Sequence, residues 1–386
     1  MSVTTAQGFR AAGVAAGLKS TGKPDVAVVV NDGPDRHAAA VFTTNRVAAA
    51  PVVWSRQVVA DGRVDAVVLN SGGANAATGP QGFQDTHATA EHAAGQLGIS
   101  PGDVLVCSTG LIGLPQPMDR LIPGVAAATG ALDVEGGADA AEAIMTTDSV
   151  PKTAVHRGAG YVIGGMAKGA GMLAPGMATM LCVITTDAAV EPAELDGALT
   201  EAVRTTFNRT DSDGCMSTND TVALLASGAS GTRPDAAEFQ EGLRTVCADL
   251  ARQLIADAEG AAHEISIQVV GASTEKAAEA VARAVSRSNL FKAAVFGQDP
   301  NWGRVISAVG TVPEELAPFD AGRLDVHFNG VQVCRDSGVG EDRELVDLSP
   351  REVSVVIDLH AGEATATIWT NDLTHDYVHE NSAYSS

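Results

Sequence analysis

Short apolar runs rich in β-branched residues alternate with longer amphipathic stretches along the whole 386-residue chain, and no internal repeat or low-complexity linker interrupts them. Such interleaving restricts the fold to sheets covered by helices in layers. Strand-like runs stand at DVAVVV (25–30), AAAVFTTN (38–45), PVVWSRQVV (51–59), DAVVLNSGG (65–73), DVLVCSTG (103–110) and YVIGGMAK (161–168). Seven more follow: EISIQVV, KAAVFG, RVISAVG, LDVHFNG, VQVCRD, EVSVVIDL and ATATIWT. Between them, helical patterns cover Phe83 to Leu97, Met118 to Ala128, Gly137 to Met145, the stretch 191–207 and Pro234 to Glu259. The last carries Phe239, Leu243, Val246, Leu250, Leu254 and Ile255 on one stripe. No GxGxxG follows a strand, so the expectation is a layered α/β (α+β) protein and not a dinucleotide fold.

A formal net charge of −22 opposes binding to nucleic acid or anionic lipid, which clustered Lys and Arg would favour. The five cysteines are odd in number, widely spaced and mostly set in apolar runs, as expected of small core residues in a reducing compartment. No CxxC pair or Cys/His ladder appears, and no metal site is expected. The first 20 residues lack the sustained apolar core of a secretory leader, and no stretch approaches a membrane span. The expected compartment is the cytoplasm.

Chemistry is sought where glycine-rich loops meet buried strands. In GGMAKGAGMLAPGMATMLCVITTD (164–187), Lys168 precedes Gly169 and no Ser or Thr follows it, so the spacing fails the Walker phosphate loop. Lys168 lies in strand phase with Val162, Gly164 and Met166, a face otherwise without charge. It is either a snorkelling side chain or a cation aimed at a carboxylate. Thr179 opens a run hydrophobic on both faces, as a core strand residue or as something more. Glu259 falls near the buried stripe of its helix, where a carboxylate serves a salt bridge or a site. Thr109 and Gly110 end a buried strand and offer hydroxyl and backbone donors, as many turns do.

Seven motifs together resemble one family. KGAGMLAPGMATML (168–181), CSTGLIG (107–113), IMTTDSVPK (144–152), DSDGCMSTNDT (211–221), DAEGA (257–261), FGQDPNWGR (296–304) and DYVHENSAYSS (376–386) are similar to those of the ornithine acetyltransferase, or glutamate N-acetyltransferase, family of arginine biosynthesis. The resemblance implies self-cleavage between Ala178 and Thr179, giving chains 1–178 and 179–386 that co-fold into one body. It also implies that the freed Thr179 is the nucleophile. A chain-terminal threonine carries its hydroxyl beside an α-amine that can take the proton, so no separate histidine is needed.

Carried over by position, Thr109 and Gly110 become the oxyanion-hole pair. Lys168, Glu259, Asn381, Ser386 and one of Thr146 and Thr147 become substrate-binding residues, with Thr179. The implied reaction moves acetyl from N2-acetylornithine to glutamate, releasing ornithine and N-acetylglutamate. No cofactor is implied, although acetyl-CoA can serve some members as donor. The implied fold is a four-layer αββα sandwich similar to N-terminal-nucleophile hydrolases with different connectivity, and the implied assembly is an α2β2 heterotetramer. Two rivals stand beside this expectation: an amidase or aminopeptidase that hands the acyl group to water, and a binding protein whose chain stays whole.

Overall fold

The computed structural model describes residues 2–174 and 180–383. Ala178, Thr179 and Ser386 lie outside the described residues. The chain forms two units, one chiefly from Met1–Asn208 with Cys215–Leu254, the other from Arg209–Gly214 with Ile255–Ser385.

The first unit holds two sheets. One has the order β1-β2-β4-β5, with β1 at Phe9–Val14, β2 at Val26–Asn31, β4 at Ala66–Asn70 and β5 at Val104–Ser108. The other has the order β3-β9-β8-β7-β6, with β3 at His37–Phe42, β6 at Lys152–Arg157, β7 at Val162–Lys168, β8 at Leu181–Thr186 and β9 at Thr221–Ala226. The twofold alternation of side chains makes the layers. Val26, Val28 and Val30 of β2 pack on Ala90, Ala93 and Ala94 of α2 (Gly79–Leu97) and on Leu121 and Val125 of α3 (Met118–Gly130). Ala27 and Val29 face the other way and pack with Met166, Val183 and Leu225 of the second sheet.

Behind that sheet runs α6 (Ala236–Ala256), whose Val246 and Leu250 would stand 3.2 and 3.0 Å from a Cβ at Gly165. Beside α6 lies α5 (Pro192–Thr205), started by a proline in its first turn and a capping box of Glu191 and Glu194. The unit is thus a four-layer αββα sandwich, with strands buried on both faces and therefore apolar throughout.

In the second unit, six strands take the order β13-β12-β11-β14-β10-β15. They are β10 (Glu264–Ala272), β11 (Asp325–Phe328), β12 (Val331–Arg335), β13 (Gly338–Val339), β14 (Glu352–Asp358) and β15 (Ala364–Asn371). Ile265, Ile267 and Val269 of β10 form one buried face against Val281 of α7 (Glu275–Ser286), Phe291 of α8 (Asn289–Phe296) and Val305 of α9 (Trp302–Val309). The last helix, α10, spans His375–Ala383.

Three runs read as strands are helices. PVVWSRQVV is α1 (Ala50–Val58), where Pro51 presets the first turn and Val52, Ser55 and Val58 are buried at helical spacing. KAAVFG lies in α8 and RVISAVG in α9, capped by the side chains of Ser288 and Asn301. A short apolar run fits either period, and the capping residues before it decide the outcome. Strands β1, β6, β9 and β13 and helices α7 and α10 are not among the elements read from the sequence. No helix among the described residues is long and apolar enough to cross a membrane.

Candidate active site

The two sheets of the first unit bring Thr109 and Lys168 together. Thr109 follows β5 in phase with Cys107, which packs between the sheets. Lys168 closes β7 on the face of Met166, also between the sheets. The Lys168 ammonium donates to Thr109 Oγ1 at 3.4 Å, and the two residues are only 2 % and 3 % exposed. The bond has a chemical consequence: an ammonium that occupies a lone pair of the hydroxyl leaves its hydrogen to donate elsewhere. The next residue must be glycine. Gly110 has φ +132°, and a Cβ there would come within 2.9 Å of the Gly73 backbone.

Asp148 ties the neighbouring pieces together. Its carboxylate accepts the Lys152 ammonium at 2.7 Å, the Gly169 amide at 2.6 Å and the Thr146 amide at 2.9 Å. Burial works against its charge, but Lys168, Lys152 and the Thr146 amide outweigh that and hold the carboxyl down at about 2. Thr146 Oγ1 lies 3.5 Å from the same carboxylate, and Thr147 is half-buried beside it.

In the second unit, the DAEGA and DYVHEN motifs meet. The Asn381 amide donates to Glu259 Oε2 at 2.9 Å and to the Tyr377 carbonyl at 3.0 Å. Gly260, at φ +61°, is packed so closely that a Cβ would stand 2.2 Å from the Tyr377 nitrogen. Glu259 does not sit on the helical stripe as expected. The helix stops at Ala256, because the chain turns through 257–260 to the left-handed Gly260, and Glu259 is half-buried on that turn. Desolvation and the nearby Glu259 and Asp376 raise the Glu380 carboxyl, so this corner favours a cation.

Four buried polar residues escaped sequence reasoning: Asp148, Lys152, Asn219 and Asp220. All stand inside the motifs quoted above, but those motifs are themselves rich in polar residues, so no local pattern singles these four out. Asp220 is wholly buried and accepts the Met180 amide at 3.0 Å, while burial pushes its carboxyl well above the usual range. Four of the cysteines are buried and Cys215 is exposed, all of them free thiols. The roles expected of Ala178, Thr179 and Ser386 concern residues outside the described ones.

Comparison with known proteins defines the class: the chain is an acyltransferase of amino-acid biosynthesis. More particularly, it belongs to the ArgJ family, whose model matches residues 10–386. It is 64 % identical over 386 residues to the arginine biosynthesis bifunctional protein ArgJ of Streptomyces coelicolor, covering 100 % of both chains. With the protein of the same name from Mycobacterium leprae the identity is 55 % over 393 residues, covering 100 % of this chain and 96 % of that one. A crystal structure of ornithine acetyltransferase complexed with ornithine, from Mycobacterium tuberculosis, is 55 % identical over 47 % of this chain and 96 % of its own, at a TM-score of 0.45.

Proposed function

We propose that the chain is a glutamate N-acetyltransferase that works by exchange through Thr179. The observation that carries this reading is the buried meeting of Thr109 and Lys168 at the ends of β5 and β7, beside the strand pair that flanks residues 175–179. After cleavage between Ala178 and Thr179, the α-amine of Thr179 takes the hydroxyl proton and Oγ1 attacks the acetyl carbonyl of N2-acetylornithine. The oxyanion rests on the Thr109 hydroxyl and the Gly110 amide. Collapse breaks the amide bond, and the departing ornithine nitrogen takes the proton. Glutamate's amine then attacks the acetyl-threonine ester, the Thr179 oxygen regains a proton, and N-acetylglutamate leaves.

Lys168 and a threonine of the Thr146–Thr147 pair serve substrate orientation in this scheme, as do Glu259, Asn381 and Ser386. A buried ammonium suits a substrate carboxylate, and the Glu259–Asn381 pair suits an ammonium. No added cofactor enters the chemistry. The relatives from Streptomyces coelicolor and Mycobacterium leprae are called bifunctional, which favours acetyl-CoA as a second donor. Antiparallel pairing of β7 with β8, from Ile163 with Thr186 to Lys168 with Leu181, supports fragments that stay together after cleavage, and we assign them to a cytoplasmic α2β2 assembly.

Mass analysis and N-terminal sequencing test the scheme. Expected are fragments 1–178 and 179–386 and, after N2-acetylornithine alone, one added acetyl mass on the second. Initial rates should give parallel double-reciprocal lines. A whole chain in fully active enzyme, or intersecting lines with no acetylated fragment, would falsify it. Release of acetate in place of transfer to glutamate would point to the hydrolytic rival.

A further inference from the structure

The run DSDGCMSTNDT has no task in the acyl-transfer scheme, yet two of its residues reach both halves of the site. The Asn219 side-chain amide donates to the Ser108 carbonyl at 2.8 Å and to the Ala74 carbonyl at 2.5 Å. Its oxygen accepts the Thr218 hydroxyl at 2.6 Å, so the donors must face the two carbonyls. Asp220 Oδ1 accepts the Met180 amide at 3.0 Å. Ser108 precedes Thr109, and Met180 follows Thr179. One anchor thus lies at the end of the first sheet and the other at the start of β8 in the second.

The anchors are themselves held. Thr221 donates its amide to the Met180 carbonyl at 3.1 Å, and the Asp220 carbonyl accepts the Thr43 amide at 2.9 Å. Both polar groups of the Met180 backbone are therefore fixed by residues 220 and 221. Consecutive Cα atoms stand about 3.8 Å apart whatever the packing. Two contacts made by adjacent residues therefore tie both strand ends to one short stretch of backbone, leaving only the side-chain torsions of Asn219 and Asp220 to adjust between them.

Resting on the acyl-transfer reading, we infer that Asn219 and Asp220 are a positioning pair that fixes the oxyanion donor at Thr109 relative to the nucleophile at Thr179. Oxyanion stabilisation works only when donors lie near 3 Å from the developing charge, and a misplacement of about 1 Å costs roughly 10²-fold in rate. Asn219 is 5 % and Asp220 0 % exposed, so both act from behind the reacting groups. Their effect should fall on kcat in both half-reactions and leave KM alone.

The test compares Asn219→Asp, Asn219→Ser, Asp220→Ala and Asp220→Asn in the full chain, with rates expressed per acetylatable Thr179 and folding followed by near-ultraviolet circular dichroism. Asn219→Asp turns oxygen toward two carbonyls, and Asp220→Ala removes the acceptor for Met180. Each should lower kcat about 10- to 100-fold with KM within about 3-fold, and slow acetylation by donor alone to the same extent. Asn219→Ser, which keeps one donor and disturbs packing least, should lose kcat in the same sense if Asn219→Asp fails to fold. Asp220→Asn retains an acceptor oxygen and should recover most of the rate lost in Asp220→Ala. If Thr109→Ala loses rate while the Asn219 and Asp220 variants stay within 2-fold of the wild type, the pair has no positioning role. Equal loss in Asp220→Asn and Asp220→Ala would also overturn it. If Thr109→Ala and Thr179→Ala are both fully active, the acyl-transfer reading itself fails.

Discussion

Replacing Lys152 by methionine removes the ammonium 2.7 Å from a buried carboxylate while leaving a side chain of similar length. Lys152 is 0 % and Asp148 6 % exposed, so water cannot take over the lost charge. Removing one partner of such a pair costs about 3–5 kcal/mol. Asp148 still keeps the amides of Thr146 and Gly169 and the neighbouring charge of Lys168, which places the loss near the low end, about 3 kcal/mol. At about 2–4 °C per kcal/mol for a unit of this size, the melting transition of the first unit should fall by about 6–12 °C in scanning calorimetry. Lys152→Met with Asp148→Asn removes both charges of the pair and should regain part of that loss, less what Lys168 loses with the neighbouring carboxylate.

Acid titration adds a second measure. The Asp148 carboxyl sits at about 2 in the folded chain against an ordinary 3.8, so its contribution is complete above about pH 4 and is lost as pH falls through about 2. Without Lys152 the carboxyl titrates higher, and acid unfolding should begin at a higher pH than in the wild type. A melting shift under about 2 °C, or a double variant no more stable than Lys152→Met, would refute the charge-pair argument.

Two further outcomes are expected. Thr109→Ala should lower kcat by roughly 10²–10³ in steady-state acetyl transfer if its hydroxyl is a main oxyanion donor, and an unchanged rate would return it to an ordinary turn residue. Deleting residues 381–386 should raise the KM for N2-acetylornithine without moving the calorimetric transitions, and an unchanged KM would remove Asn381 and Ser386 from substrate binding.

The central strands were legible because burial on both faces leaves an unbroken apolar run, as in DVAVVV and DVLVCSTG. Helices α1, α8 and α9 were not, since a mostly apolar run within eight or nine residues satisfies both periods and only Pro51, Ser288 and Asn301 separate them. Lys168 was legible as a charge on an otherwise apolar strand face, which left snorkelling and burial both open, and at 2 % exposure it is buried. Asn219 stayed hidden because its partner Ser108 is 111 residues away, and Asp220 because Met180 is 40 away. A polar residue's task depends on what the fold carries to it, which local pattern does not record.

The second sheet of the first unit has the order β3-β9-β8-β7-β6, and its two middle-left strands, β9 and β8, both follow residue 179, while β3, β7 and β6 precede it. Cleavage at that point would leave one fragment's strand pair wedged between strands of the other. A gene divided at codon 179 would consequently encode two polypeptides with bare hydrogen-bonding edges, each a template for aggregation until the other arrives. Translation as a single chain delivers both halves at equal dose and at high local concentration. The peptide bond is thus a tether during synthesis, and it becomes dispensable once the sheet has closed.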